Sequence, residues 1–391
     1  MRTNAIRTAL VAAGVLLIAA SVVFQDASAI PAFARKYDMS CSTCHSPFPK
    51  LKPYGDDFAA NGFQLEGKEP PRFTRDTGDD LLYLMRELPV ALRLEGYFRY
   101  QPQTTGKGDF QTPYLFKLLS GGQITRDVSY FFYFFFGERG EVAGLEDAFI
   151  TFNNVFGSEL DISVGQFQVS DPLFKRELRL PFEDYQVYST EVGYASPTLT
   201  YDRGLMFTYD LPTSTSLVLE VLNGNGIGAA DAGRSFDDDK NKNGLFRISQ
   251  DLGDMVRIGG FGYYGNQYKY GVTNRTTMLG PDLTFSFDRF ELNLQYLERK
   301  DTRPYFSSLT RDQRTRGGFG ELIFSPEGDK SRWYGVLLYN WVRSDLKVLD
   351  YESATAHLSY LFVRNLRLTA EYTYDIHFKE NRYTVGFVSA F

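Results

Sequence analysis

From about Pro89 to the C-terminus the chain is written in period two. In one stretch Leu292, Leu294 and Tyr296 alternate with Glu291, Asn293 and Gln295. In another, Leu366, Leu368, Ala370, Tyr372 and Tyr374 alternate with Arg367, Thr369, Glu371, Thr373 and Asp375. Alternation over such lengths predicts strands with one apolar and one polar face. About sixteen such segments, each roughly nine to thirteen residues long, follow one another, the even number that single-chain bacterial barrels require. Short connections are expected after every second strand, at 125–126, 154–157, 211–213, 251–254, 288, 326–330 and 364. The longer excursions, 169–202, 225–242 and 300–313, fall mostly on the opposite rim.

A soluble sandwich would turn its apolar faces toward each other across a core. Three features favour an outer-membrane barrel instead. The strands are long enough for a tilted membrane crossing. Aromatic residues are abundant, with 26 Tyr and 34 Phe, and many stand near strand ends where girdles form. The chain also closes on Tyr383-x-Val385-x-Phe387-x-x-x-Phe391, an alternating strand with a terminal Phe, although Ser389 breaks the alternation. The expected fold is all-β: a sixteen-stranded antiparallel outer-membrane β-barrel over 89–391, preceded by a small domain over 30–88.

The N-terminus has a different texture. Arg2 and Arg7 precede or flank an apolar run from Ala9 to about Phe24, and Ala27-Ser28-Ala29 places small residues where a signal peptidase reads. This is the pattern of a secretory signal over 1–29, cleaved after Ala29; the rival, an uncleaved anchor, is disfavoured because the run is short. Beyond it no stretch is long and apolar enough for a spanning helix. Residues 30–88 are rich in Pro and Gly (Pro49, Pro53, Gly55, Gly62, Gly67, Pro70, Pro71) and read as a compact loop-rich unit. With no long linker before the first strand, that unit either plugs the lumen or sits at its periplasmic mouth. The aromatic run Tyr130–Phe136 sends one parity inward, which suits an occupied lumen better than an open water channel.

Composition narrows the chemistry. The net charge is −6 and there is no Lys/Arg block, so nucleic acid is not an expected partner. The chain has 2 Cys and 3 His. Both cysteines lie in Cys41-Ser42-Thr43-Cys44-His45. In an oxidising compartment such a pair tends toward a disulfide unless something else claims it. Two thiols at this spacing reach the two vinyl groups on one edge of a haem, and the adjacent histidine then falls under the iron as proximal ligand. A structural zinc site would need further ligands, and only His357 and His377 remain. A thioredoxin-like pair would need a βαβ setting, which the flanks do not resemble. One covalent haem c is therefore the expected cofactor, held by Cys41, Cys44 and His45, and its bulk would serve as the core of so short a domain.

The segment Ile30–His45, followed by Phe48-Pro49-Lys50-Leu51 and Tyr54-Gly55-x-x-Phe58-x-x-Asn61-Gly62, resembles the N-terminus of the fused monohaem cytochrome–porins, a family of outer-membrane iron oxidases. Gly144–Ile150 and Val164-Gly165-Gln166-Phe167 are similar to strands of phosphate-selective porins. The first match covers about thirty residues; the second is texture plus two short motifs. The resemblance implies electron transfer across the outer membrane, with extracellular Fe²⁺ as donor, a periplasmic c-type cytochrome as acceptor and iron(II):cytochrome c oxidoreductase as the activity. Only Cys41, Cys44 and His45 carry over by position.

A low-spin electron-transfer haem needs a sixth ligand, usually Met or His. The candidates are Met85, at the end of the small domain, and His357, on the polar parity Ser353-Thr355-His357-Ser359 and so facing the lumen; His377 stands near the outer rim. Two other function classes compete with electron uptake: a solute or anion porin whose haem-bearing unit is a plug or redox sensor, and outward electron export. Asp239-x-Asn241-x-Asn243-Gly244 matches half a calcium loop, but Gln250 stands at the twelfth position, so a solvated outer loop is expected. The basic cluster Lys175–Arg179 falls in the longest outer loop.

Overall fold

The computed structural model describes residues 32–46, 50–65, 74–79, 81–142, 144–174, 180, 182–237, 239–308 and 311–391. The expected signal peptide, Phe48-Pro49 and the basic cluster Lys175–Arg179 lie outside the described residues. Three short helices come first: α1 (Ala32–Tyr37), α2 (Cys41–Cys44) and α3 (Pro53–Ala60). A two-stranded ladder follows, β1 (Thr74–Arg75) on β2 (Leu84–Met85).

The barrel begins with β3 (Val90–Tyr100), β4 (Gly108–Thr125), β5 (Val128–Glu138), β6 (Gly144–Phe152) and β7 (Leu160–Gln168). A long segment containing the one-turn helix α4 (Gln186–Ser189) then leads to β8 (Tyr201–Leu211), β9 (Thr215–Leu222) and β10 (Asn243–Leu252). The second half comprises β11 (Val256–Lys269), β12 (Val272–Phe287), β13 (Phe290–Asp301) and β14 (Gln313–Phe324). It ends with β15 (Trp333–Ser344), β16 (Tyr351–Val363), β17 (Leu366–Asp375) and β18 (Glu380–Ala390). Every strand pairs antiparallel with its chain neighbours, and β18 pairs back onto β3 with Phe387 opposite Gly96, so β3 to β18 form a closed barrel. The sixteen-strand expectation holds. Phe391 seals the joint, exchanging backbone hydrogen bonds of 2.7 and 2.9 Å with Leu92.

The polarity is inverted relative to a soluble protein. On β13 the polar parity Glu291, Asn293 and Gln295 is buried, while Phe290, Leu294 and Tyr296 are exposed on the outside. On β17 Arg367, Thr369, Glu371 and Thr373 are buried, and Leu368 and Tyr372 are exposed. An apolar exterior over a polar interior is the arrangement a lipid solvent selects. On β5 the inward parity is Phe131, Tyr133 and Phe135, as the aromatic run led us to expect; Phe136 points out and is exposed.

The strand ends depart from expectation most where strands outrun the pattern: β4 starts at Gly108 against an expected 112, and β11 and β12 run together. The period-two pattern stops at 266 and resumes at 276, yet β11 and β12 meet in a two-residue turn at 270–271. The outward positions there are Thr273, Arg275 and Thr277. Above the apolar band a strand goes on pairing after its lipid-facing side chains turn polar, so alternation in hydropathy fades before the ladder does.

Leu294→Arg tests the lipid face. Near mid-membrane it should cost ~2–4 kcal/mol in folding from denaturant into bilayers. A loss under ~1 kcal/mol would place that face outside the lipid.

Candidate functional site

The Cys-x-x-Cys-His motif is a single helical turn. Ser40 caps α2, its hydroxyl accepting from the Ser42 amide. Residues three apart share a helix face, so the two thiols stand side by side. Both are free and half-buried. Burial pushes each thiol up from its ordinary value, and for Cys44 the neighbouring Cys41 adds to this. His45 follows in extended backbone, its amide donating to the Cys41 carbonyl at 2.9 Å. Two more backbone bonds, Ser46 to Lys50 at 3.0 Å and Lys52 to Cys44 at 2.8 Å, fold the chain back over the motif. Gly55 of α3 lies so close that a Cβ there would stand 2.3 Å from the Cys44 carbonyl oxygen. Paired free thiols on one face and a histidine held just beyond them fit a covalently attached haem.

Aromatic rings make the core of this segment. Phe33 stacks on Phe63 at 4.6 Å and meets Phe58 edge-on at 5.5 Å, and Tyr37 also meets Phe58. The Tyr37 hydroxyl donates to the Phe63 carbonyl at 2.8 Å. The segment is joined to the barrel on the rim that carries the short turns. Lys50 pairs with Glu291 on the lumen face of β13, and Lys52 pairs with Asp329 at 2.5 Å in the β14–β15 turn. Phe63 stacks on Phe131 of β5 at 4.9 Å, and Gln64 bonds Gln123 of β4. The Lys52 ammonium holds the Asp329 carboxyl below its ordinary 3.8.

The remaining candidates stand at different depths. Met85 packs its sulphur against Gly122 on the same rim, 3.1 Å from where a Cβ would be. His357 lies inside the lumen on β16, 4 % exposed. Six strand positions, roughly 20 Å, separate it from the end of β16 beside Arg364, whose charge is felt by Cys41. His377 is exposed in the β17–β18 connection, edge-on to Phe378. In the half calcium loop, Asp239 accepts from the backbone of Asn241 and Tyr268, both at 2.6 Å, and Asp237 pairs with Lys242. Those carboxylates serve the loop, as a solvated loop requires.

The segment between β7 and β8 is more than an outer excursion. It turns into the barrel and lines a continuous arc of the wall, from β4 and β3 past β18, β16 and β15 to β14 and β13. Phe182 packs on Tyr97 of β3 at 5.4 Å and Tyr114 of β4 at 4.9 Å. Tyr185 stacks on Phe319 of β14 at 3.8 Å and donates to Glu321 at 3.0 Å. Tyr188 bonds Gln295 of β13, and Arg299 donates to the carbonyls of Thr190 and Pro197. Leu173, Phe174, Leu180, Val187 and Leu199 are buried with them. So apolar a composition in a loop expected to face water was the sequence signal for this inward turn. Along β16 the lumen positions are buried, Ser353 0 %, Thr355 4 %, His357 4 % and Ser359 1 %, and Glu183 of the segment accepts from Tyr351 and Ser353 at one end of that row. On the other side, Asp161 and Ser163 of β7 and Met206 and Thr208 of β8 are half-buried.

No protein-family profile and no curated protein matches this chain. Solved structures do. An anion-selective porin from Comamonas acidovorans aligns over 78 % of this chain and 99 % of its own, with a TM-score of 0.57 at 10 % identity. Salmonella typhi OmpF, in complex with daunomycin, aligns over 78 % and 97 %, with a TM-score of 0.56 at 12 % identity. The outer-membrane channel DcaP of Acinetobacter baumannii aligns over 78 % and 97 %, with a TM-score of 0.55 at 13 % identity. The fold is that of the outer-membrane porins. With its apolar exterior, this porin-like barrel belongs in the bacterial outer membrane, in contact with lipid.

The Lys52–Asp329 pair gives a pH dependence whose sign is set. A carboxyl depressed by docking contributes above its ordinary 3.8 and loses that contribution as pH falls through the lower docked value. Both side chains are partly exposed, so the effect is small, ~0.2–1 kcal/mol. Protease cleavage within 32–65 of the reconstituted protein should therefore rise below about pH 4, and Lys52→Ala should flatten that rise. A wild-type rise that Lys52→Ala leaves unchanged would assign it to another group.

Proposed function

We propose that this porin-like barrel carries one covalent haem c at its periplasmic mouth and passes electrons between an extracellular donor and a periplasmic c-type cytochrome or similar carrier. The observation that carries the reading is the Cys-x-x-Cys-His turn held on the rim, above a lumen narrowed on one side by the segment that packs along β13 to β18 and β3. A barrel that blocks solute there, yet seats a Cys-x-x-Cys-His turn on its inner rim, is better suited to moving charge than cargo. The resemblance of the N-terminus to cytochrome–porins adds Fe²⁺ as donor and iron(II):cytochrome c oxidoreductase as the activity.

Each residue has a part. Cys41 and Cys44 would form the two thioethers, and the extended backbone of His45 would aim its imidazole at the iron. Met85, on the same rim, would be the candidate second ligand to the iron; His357 is the alternative. Phe33, Phe58 and Phe63 keep water from this side of the segment, and Lys50 and Lys52 fix it on the rim. When bound, the haem would accept one electron from the donor and release it to the periplasmic carrier.

A second reading rests on the other half of the lumen. The half-buried faces of β7 and β8 leave room for water or a small solute beside the packed half. The likeness to porins, one of them described as anion-selective, supports a solute or anion porin in which the haem-bearing segment is a plug or redox sensor.

One preparation separates the readings. Purified protein should keep its haem through denaturing electrophoresis, and Cys44→Ala should abolish covalent attachment. Anaerobic Fe²⁺ should reduce the haem, and planar-bilayer conductance should fall far below that of an open porin. Haem that ignores Fe²⁺, with steady open-channel conductance, would establish the porin reading and end the electron-transfer one.

A further inference from the structure

Two carboxylates on neighbouring strands lie close together in the lumen wall. Glu321 of β14 is 1 % exposed and Glu291 of β13 is 8 % exposed. Between them stands Asn293, opposite Glu321 in the strand register and at the next lumen position after Glu291 on β13. Its amide nitrogen donates to both, at 2.9 Å to Glu291 Oε1 and 3.1 Å to Glu321 Oε2. Its amide oxygen accepts from Thr284 at 2.9 Å, so the group has one orientation. A buried network of this kind is sensitive to the loss of any member, because an acceptor left without its donor stays out of water.

The two ends of this row are reached from different parts of the chain. At one end Lys50 of the N-terminal segment pairs with Glu291 Oε2, to which Ser286 also donates at 3.3 Å. At the other end Tyr185, in the segment between β7 and β8, donates to Glu321 Oε2 at 3.0 Å. That oxygen is the one Asn293 holds. Lys50 therefore fixes Glu291, Glu291 and Thr284 orient Asn293, and Asn293 presents the acceptor that Tyr185 uses. Lys50 is tied in turn to the cysteine motif. Its carbonyl accepts from the Ser46 amide at 3.0 Å, and Leu51 pairs with His45 in an antiparallel bridge.

We infer that docking of the N-terminal segment on the rim and seating of the β7–β8 segment in the lumen stabilise each other through the chain Lys50, Glu291, Asn293, Glu321 and Tyr185. How firmly the lumen is narrowed then depends on whether the rim is occupied. Substitutions within one hydrogen-bond network do not add, whereas those at separate sites usually do. Coupling is also reciprocal, so each segment steadies the other by the same factor. The inference holds for an electron-transfer barrel and for a porin alike, because none of the five residues is a thiol or a candidate iron ligand.

Hydrogen exchange of the reconstituted full-length protein reads both ends. The Tyr188 amide, bonded to the Tyr185 carbonyl, and the Leu199 amide, bonded to the Tyr188 carbonyl, report the lumen segment. The Asn61 and Phe63 amides, bonded to the Asp57 and Phe58 carbonyls, report the N-terminal one. Lys50→Met should speed exchange at Tyr188 and Leu199 by at least about threefold, and Tyr185→Phe should do the same at Asn61 and Phe63. In the double variant the accelerations should fall short of the product of the single ones by a similar factor. Tyr188→Phe removes only a bond to Gln295, outside the chain, and should leave Asn61 and Phe63 at the wild-type rate. Heat-dependent gel mobility checks that each barrel is folded. Should Tyr185→Phe fail to fold, Lys50→Met alone still reads the coupling at Tyr188 and Leu199. Wild-type exchange at those amides in Lys50→Met, or single effects that simply multiply, overturns the inference. An equal response of Asn61 and Phe63 to Tyr188→Phe overturns it too, by spreading the coupling over the whole wall.

Discussion

Closure of the sheet between β18 and β3 is the constraint on which everything else depends. In hydrocarbon every backbone donor and acceptor must be paired within the protein, and a barrel with no edge is one of two ways to achieve it. An even number of antiparallel strands returns the chain to the rim it left, so the N-terminal segment and Phe391 share a rim. Closure also assigns one parity of every strand to the inside. Many of those positions are polar, and polar groups taken from water need partners.

The wall, and the segment between β7 and β8 that lines it, supply those partners to each other. Arg247 and Asp282 form a two-bond ion pair at 2.6 and 2.9 Å, both buried. Arg299 pairs with Asp301 and also donates to two carbonyls of the segment, so its charge is satisfied on both sides. Removing one member of such a buried pair typically costs ~3–5 kcal/mol, because the other charge is left without compensation. The apolar side chains of the segment contribute burial, and the arginines set its position along the wall.

Much of this was legible in the chain before its structure. Period two locates all sixteen strands because lipid outside and polar groups inside act on every crossing. The motif at Cys41–His45 is local, so its face and its turn can be read from spacing alone. What the pattern does not reveal depends on contacts between distant positions. The inward turn of the described residues between β7 and β8 follows from Tyr185 meeting Phe319 and Phe182 meeting Tyr97, pairs that no local periodicity relates. The apolar residues of that loop were a signal, but loop length and parity spoke more loudly. The long ladder between β11 and β12 was missed for the opposite reason: the strands outrun the apolar band that makes them recognisable.

The seat of the N-terminal segment bears on the order of assembly. Lys50 reaches Glu291, Lys52 reaches Asp329, and Phe63 and Gln64 reach β5 and β4. These partners are hundreds of residues apart along the chain or lie on separate strands, and they converge only once the barrel has formed. The segment is synthesised ahead of every strand, yet its docking surface is the last thing the chain creates. Its contacts with Glu291, Asp329 and Phe131 can form together only once the wall is complete. Any chemistry performed on Cys41 and Cys44 therefore has its natural window between secretion and insertion.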